Sequence, residues 1–162
     1  MGYFSKFLGV AAAVTLLSAT LVGAEERDPL KPRVPADQLA DAKALKNPVA
    51  NTPESIAKGK ALFEGKGTCF NCHGKEGKGD GPAASTMTRR PTNVTLMQKR
   101  HGAFFAAQAE SAIRGTDPVV AHGAPGMMVW GAIFRANAHG GEAAVDARVR
   151  DLLAFMESIQ EK

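Results

Sequence analysis

Both cysteines of the 162-residue chain fall within five letters, "CFNCH", at 69–73. Two thiols three positions apart with a histidine directly behind constrain the fold more than any apolar stretch does. The pair is a poor structural staple, because a disulfide across two intervening residues closes too small a loop to restrain the unfolded chain. A thioredoxin-type redox pair needs a βαβ setting, and no strand pattern stands out in this sequence. A zinc site needs four ligands, and His101, His122 and His139 lack finger spacing after the cysteines. The spacing C-x-x-C-H is instead the haem attachment pattern. Each thiol can add to one vinyl group on neighbouring pyrroles, and the next residue then lies under the ring plane, where an imidazole can ligate iron. Cys69 and Cys72 are therefore the expected thioether links to one covalent haem c, and His73 the expected iron ligand.

The start of the chain agrees with this chemistry. Lys6 precedes "FLGVAAAVTLLSATLVGA", an apolar run that meets "EERD". A cation, an apolar core and the small residues Val22-Gly23-Ala24 predict a secretory signal over 1–24, cut after Ala24. The expected location is periplasmic, on the side of the membrane where c-type haem is attached. An uncleaved anchor is the alternative, since the apolar run is only marginally long enough to span. The remaining 138 residues, 25–162, suit one domain with one modest core.

Pro29, Pro32, Pro35 and Pro48 punctuate 25–53, which reads as an extended arm with one short helix near "DQLADAKAL". The domain proper is expected over 54–162. Thr52-Pro53-Glu54 signals a helix start: an N-cap, a proline at N1 and an acid in the first turn. Ile56, Gly59, Leu62 and Phe63 should form its inner side, with an end near Gly65–Gly67. Gly74, Gly77, Gly79 and Gly81 then forbid a stable helix and predict a loop around the cofactor. "HGAFFAAQAESAIRG" predicts a second helix opened by His101, with Phe105, Ala109, Ala112 and Ile113 on one face and Gly115 just past its end. "GTDPVVAHGAPGMMVWG" reads as a loop. Val145, Val149, Leu152, Leu153, Met156 and Ile159 recur at helical intervals and predict a closing helix. The fold class is all-α.

An iron that only transfers electrons usually carries a sixth ligand, and a thioether raises the potential relative to a second imidazole. Met127 and Met128 lie in the glycine-bounded loop, far enough along the chain to reach the opposite face. Met87, Met97 and Met156 read as packing residues. His122, in the same loop, is the rival ligand.

"GKALF" ahead of "CFNCH", then "GDGP", the methionine loop and "DLLAFM" together resemble a class I c-type cytochrome over roughly 54–159. The resemblance implies three to five helices wrapped around one covalent haem. It aligns Met127 with the family's axial methionine and Trp130 with the aromatic residue of the haem environment, while Met128 takes a position that the family gives to proline. Met127 is thus the expected ligand and Met128 the alternative. The resemblance also implies that the Pro82 carbonyl accepts the Nδ1 hydrogen of His73, which fixes the ring and tunes its basicity. Gly59 and Phe63 would pack on Leu152 and Phe155 where the first and last helices cross.

Charge is placed unevenly. Residues 54–114 hold ten Lys/Arg against five Asp/Glu, 25–53 balance at five each, and 115–162 hold four against six. Lys66, Lys75, Lys78, Arg89 and Arg90 lie near the haem motif and would steer docking onto acidic protein donors and acceptors. Nucleic-acid binding is not expected, because no aromatic residues interleave with the cations. No acid/base constellation marks an enzyme. The expected function is one-electron shuttling between respiratory complexes, including a membrane-bound one. The alternatives are a haem-bearing subunit of a multi-chain oxidoreductase and a gas- or peroxide-binding haem protein.

Overall fold

The computed structural model describes residues 28, 30–46, 51–65, 69–116, 129–137 and 139–162. These hold seven α-helices and no strand: α1 Leu39–Ala44, α2 Pro53–Glu64, α3 Phe70–His73, α4 Met97–His101, α5 Ala106–Arg114, α6 Trp130–Ala136 and α7 Gly141–Ser158. The all-α expectation holds. The number exceeds three to five because several helices are only one or two turns long, too short to show a hydrophobic period in sequence.

Helix α2 begins where its capping residues say it should. Thr52 Oγ1 accepts from Ser55 N–H at 3.1 Å, Pro53 takes the first helical position and Glu54 pairs with Lys58 at 2.7 Å. One donor left over at the helix start is thereby satisfied, and the proline has no N–H to leave unsatisfied. At the far end Gly65 N–H returns to Ala61 O. Its partner α7 is eighteen residues long and buries Val145, Val149, Leu152, Leu153, Ala154 and Phe155. The two helices cross at Gly59. A β-carbon there would collide with the Asp151 carbonyl oxygen and stand 2.8 Å from Phe155 Cβ. Phe63, one turn on, stacks at a tilt on Phe155. This crossing is the one expected from the sequence.

Two expectations are corrected in the middle of the chain. His101 closes α4 rather than opening the second helix, because Gly102 adopts a left-handed φ of 79° and ends the turn. Helix α5 then starts afresh at Ala106 and stops at Gly115, whose φ of 71° is the expected left-handed cap. The glycine-rich loop also ends earlier than expected. Trp130 already opens α6, which buries Trp130, Gly131 and Phe134. Arg114 ties α5 to α7, meeting Glu110 and Asp146 each at 2.7 Å with only 18% of its side chain exposed.

The arm is not simply extended. Leu30 is 5% exposed and belongs to the core with Phe104, Phe105 and Ala109. Gln108 grips the main chain just after it, donating to Lys31 O at 3.2 Å and accepting from Arg33 N–H at 3.2 Å. Asp28 receives the Leu30 N–H at 2.9 Å, His101 Nε2 at 3.1 Å and Arg100 at 3.4 Å. Four contacts from α4 and α5 thus hold residues 28–33 against the domain, and the predicted short helix follows as α1.

Candidate functional site

Helix α3 is a single turn. Cys72 and His73 N–H groups both reach Cys69 O, at 3.2 and 2.8 Å, and Gly74 N–H reaches Phe70 O at 2.9 Å. This turn puts the two cysteines on one side, three residues apart, with His73 about 100° further round. Both cysteines are partly buried and no disulfide joins them. Burial pushes the Cys69 thiol up to about 11; Cys72 adds to the rise and a main-chain hydrogen bond opposes it. Cys69 is therefore held as a neutral thiol at ordinary pH.

A one-turn helix leaves nearly all its carbonyls without helical partners. The glycine-rich run supplies them. Gly79 N–H donates to His73 O at 2.8 Å, Gly81 N–H to Cys72 O at 3.1 Å and Ala83 N–H to Asn71 O at 2.8 Å. Such close main-chain approach excludes a side chain at Gly81, where a β-carbon would collide with the Phe70 and Asn71 carbonyl oxygens. Gly74, Gly77 and Gly79 each take φ of 75°, a conformation open to glycine at little cost. The loop expected around the cofactor is thus an ordered backing for the C-x-x-C-H turn.

His73 is 8% exposed, and its Nδ1–H donates to Thr92 O at 2.9 Å. With the hydrogen on Nδ1, the ring lone pair resides on Nε2, the form that ligates a metal. The resemblance places this acceptor at Pro82; the structure gives Thr92 instead. Bonds from Gly81 and Ala83 turn 81–83 back along α3 and leave Pro82 exposed, while the imidazole faces the segment around Thr92. Asn93 then caps a 3-10 turn, Val94–Leu96, by accepting from Thr95 N–H at 3.0 Å. Thr92 and Asn93 went unread in the sequence. The available signal was Pro91-Thr92-Asn93, an extended prolyl step followed by a capping residue.

Trp130 is buried in the core, with its ring centroid 5.8 Å from that of Phe134. Met127, Met128 and His122 lie outside the described residues. The flanks of that stretch meet. A β-carbon on Gly115 would stand 2.6 Å from Val129 Cγ1, and one on Gly131 would stand 2.8 Å from Arg114 O. Among the described residues no group of three or more His, Cys, Asp or Glu side chains converges to hold a bare ion. The donor set fits haem c: two thiols on one turn, outside any disulfide, beside one imidazole in the ligating tautomer.

The sequence profile of the family described as "Cytochrome c" matches residues 56–160. The chain belongs to the cytochrome c family. It carries a covalent haem c and functions in haem electron transfer, as that family and its C-x-x-C-H spacing imply. A search of curated proteins finds no match. Among solved structures, a chain of the Kuenenia stuttgartiensis reducing HAO-like protein complex Kustc0457/Kustc0458 is similar, at 23% identity and a TM-score of 0.47. The alignment covers 72% of this cytochrome and 50% of that chain, so this cytochrome spans about half its length.

Proposed function

We propose that this cytochrome is an exported, periplasmic one-electron carrier with His73 and Met127 as the two axial ligands of its haem. The observation that carries the reading is His73 itself, buried at the end of α3 with Nδ1–H committed to Thr92 O. Bound there, the haem supplies an iron that cycles between ferric and ferrous states. Cys69 and Cys72 hold the macrocycle through thioethers. His73, oriented by the Thr92 carbonyl, would offer Nε2 to the iron. Met127, with Met128 as the alternative, would supply a thioether to the iron, and a sulfur ligand raises the potential. On this reading the protein's task is to hold and shield the group rather than to move protons.

Docking falls to the exposed cations Lys75, Lys78, Arg89 and Arg90, which follow the C-x-x-C-H motif in sequence. They favour acidic faces on protein donors and acceptors and speed encounter at low salt. The alternative of a fixed oxidoreductase subunit drew on the arm as a docking element. Residues 28–33 bind their own domain instead, so the carrier reading is preferred.

The visible spectrum of the purified ferric protein tests the ligand set. The expected result is the weak far-red charge-transfer band of sulfur–iron ligation, lost in Met127→Ala and kept in Met128→Ala. Absence of the band in the wild type, with rapid carbon monoxide uptake on reduction, would overturn the reading.

A further inference from the structure

The Thr92 carbonyl is only as fixed as the short turn that follows it, and that turn is held from far along the chain. Asn93 Oδ1 accepts from Thr95 N–H at 3.0 Å and from Thr95 Oγ1–H at 2.7 Å. Val94 N–H is anchored to Gly77 O at 2.8 Å. The carbonyls of Val94 and Thr95 are taken by the two residues after Ile159. Gln160 Nε2 donates to Val94 O at 2.7 Å, and its Oε1 accepts from Gln98 N–H at 3.1 Å. Glu161 N–H donates to Thr95 O at 2.8 Å. The Glu161 carboxylate accepts from Lys99 Nζ at 2.7 Å and lies 3.2 Å from Thr95 Oγ1, whose single hydrogen it shares with the closer Asn93 Oδ1.

Thr95 is 3% exposed, so its groups must find partners within the protein. Gln160 also donates to Met156 O at 2.8 Å, which fastens the clamp to the last turn of α7. A set of hydrogen bonds therefore runs from α7 through Gln160 and Glu161 to the 93–95 turn, which the peptide bond joins directly to the carbonyl that holds His73.

We infer that Gln160 and Glu161 are positioning residues for the iron's histidine ligand, setting the reduction potential through the Val94–Thr95 turn and the Thr92 carbonyl. The inference rests on His73 as an axial ligand. A strong Nδ1–H···O bond gives the imidazole more anionic character and so favours ferric iron. When the clamp is cut, the carbonyl is free to drift, the bond weakens, and the ferrous state gains.

The test uses the haem-loaded full chain. Gln160→Ala removes all three side-chain hydrogen bonds, to Val94 O, Gln98 N–H and Met156 O. Thr95→Val deletes the hydroxyl at constant shape, and Thr95→Ser restores it. The readouts are the reduction potential, solvent exchange of the His73 Nδ1 proton in ferric NMR spectra, and thermal stability. The expected result is an upward shift of potential with faster Nδ1 exchange in Gln160→Ala and Thr95→Val, and a return towards wild type in Thr95→Ser. Arg114→Met, which loosens α5 from α7 at a distance from the turn, should lower stability without moving the potential. An unchanged potential and unchanged exchange in both clamp variants would overturn the inference, whatever their stability. An equal shift in Arg114→Met would overturn it too, by showing that general loosening suffices. Wild-type spectra keep the two readings apart: if they lack hyperfine-shifted His73 ring signals, the axial-ligand reading itself falls.

Discussion

The rings of Phe63 and Phe155 meet with centroids 5.2 Å apart and planes inclined at 55°, one helical turn beyond the point where Gly59 lies against the Asp151 carbonyl. The tilt lets a ring edge face a ring surface, an arrangement worth about 1 kcal/mol beyond the buried area. The missing side chain at Gly59 lets α2 come close enough for that contact.

Gly59→Ala should therefore destabilise the protein despite alanine's better helix propensity. Propensity alone favours alanine by about 1 kcal/mol. The new methyl group, however, meets main-chain oxygen rather than a movable side chain. Overpacking of this kind costs about 1–3 kcal/mol, and at a main-chain collision the upper end is expected. Urea denaturation of the haem-loaded protein measures the balance. A variant as stable as the wild type would mean that the helices are not held at this spacing.

The centre of α7 should be the most sensitive to truncation. Leu153 and Val149 have no exposed surface. Leu153→Ala should cost about 2–5 kcal/mol through lost transfer energy and the cavity left behind. The same change at Leu45, which is 64% exposed, should stay within about 0.5 kcal/mol. Comparable losses at both sites would contradict the placement of the core.

Acid should release the arm before it unfolds the domain. Burial alone would raise the Asp28 carboxyl, but the Leu30 N–H, His101 and Arg100 outweigh it and hold it below its ordinary value. A group depressed in this way gives stability that is present above its unfolded pKa and is lost as pH falls through the folded one. Docking of residues 28–33 should thus be undiminished at neutral pH and weaken below about pH 4. Hydrogen-exchange protection at Leu30 and Lys31 reports it, and Asp28→Asn should show the weakened pattern already at pH 7. Protection in that variant equal to wild type would rule out Asp28 as the anchor.

Gly81→Ala should reduce the yield of haem-loaded protein, since the added methyl group drives the loop off the Phe70 and Asn71 carbonyls that back the attachment turn. Ser85→Ala, at an exposed position in the same loop, is the control. Haem absorbance per unit of polypeptide, compared at equal expression, gives the answer. Equal loading of the two variants would show that the backing is dispensable.

Features set by local chemistry could be read from the letters. Thr52-Pro53 starts a helix wherever the chain goes next, Gly115 ends one, and the α7 stripe repeats often enough to reveal its period. Gly59 was legible because a glycine inside an otherwise sound helix asks for close contact. The misplaced features depend on partners remote in sequence. The acceptor for His73 is a main-chain carbonyl, which any residue can supply, so Pro91 and Asn93 mark the turn beside it but Thr92 itself does not announce the bond. Helices α4 and α6 span five and seven residues, fewer than two full turns, and their apolar positions cannot establish a period. Arm docking rests on Leu30 filling a site built by α4 and α5, and isolated leucines among prolines carry no such label.

The meeting of Gly115 with Val129 has a consequence for how such a protein can change over time. The chain leaves the core and re-enters it at nearly one place, so the core does not dictate the length of what lies between. Lengthening a loop with fixed ends costs little, about 0.6 kcal/mol for each doubling. The contact of Gly115 with Val129 therefore fixes where the two ends sit and leaves the number of residues between them open. Changes in that number can accumulate while α5, α6 and α7 keep their packing, so length can diverge between these two ends faster than the scaffold on either side of them.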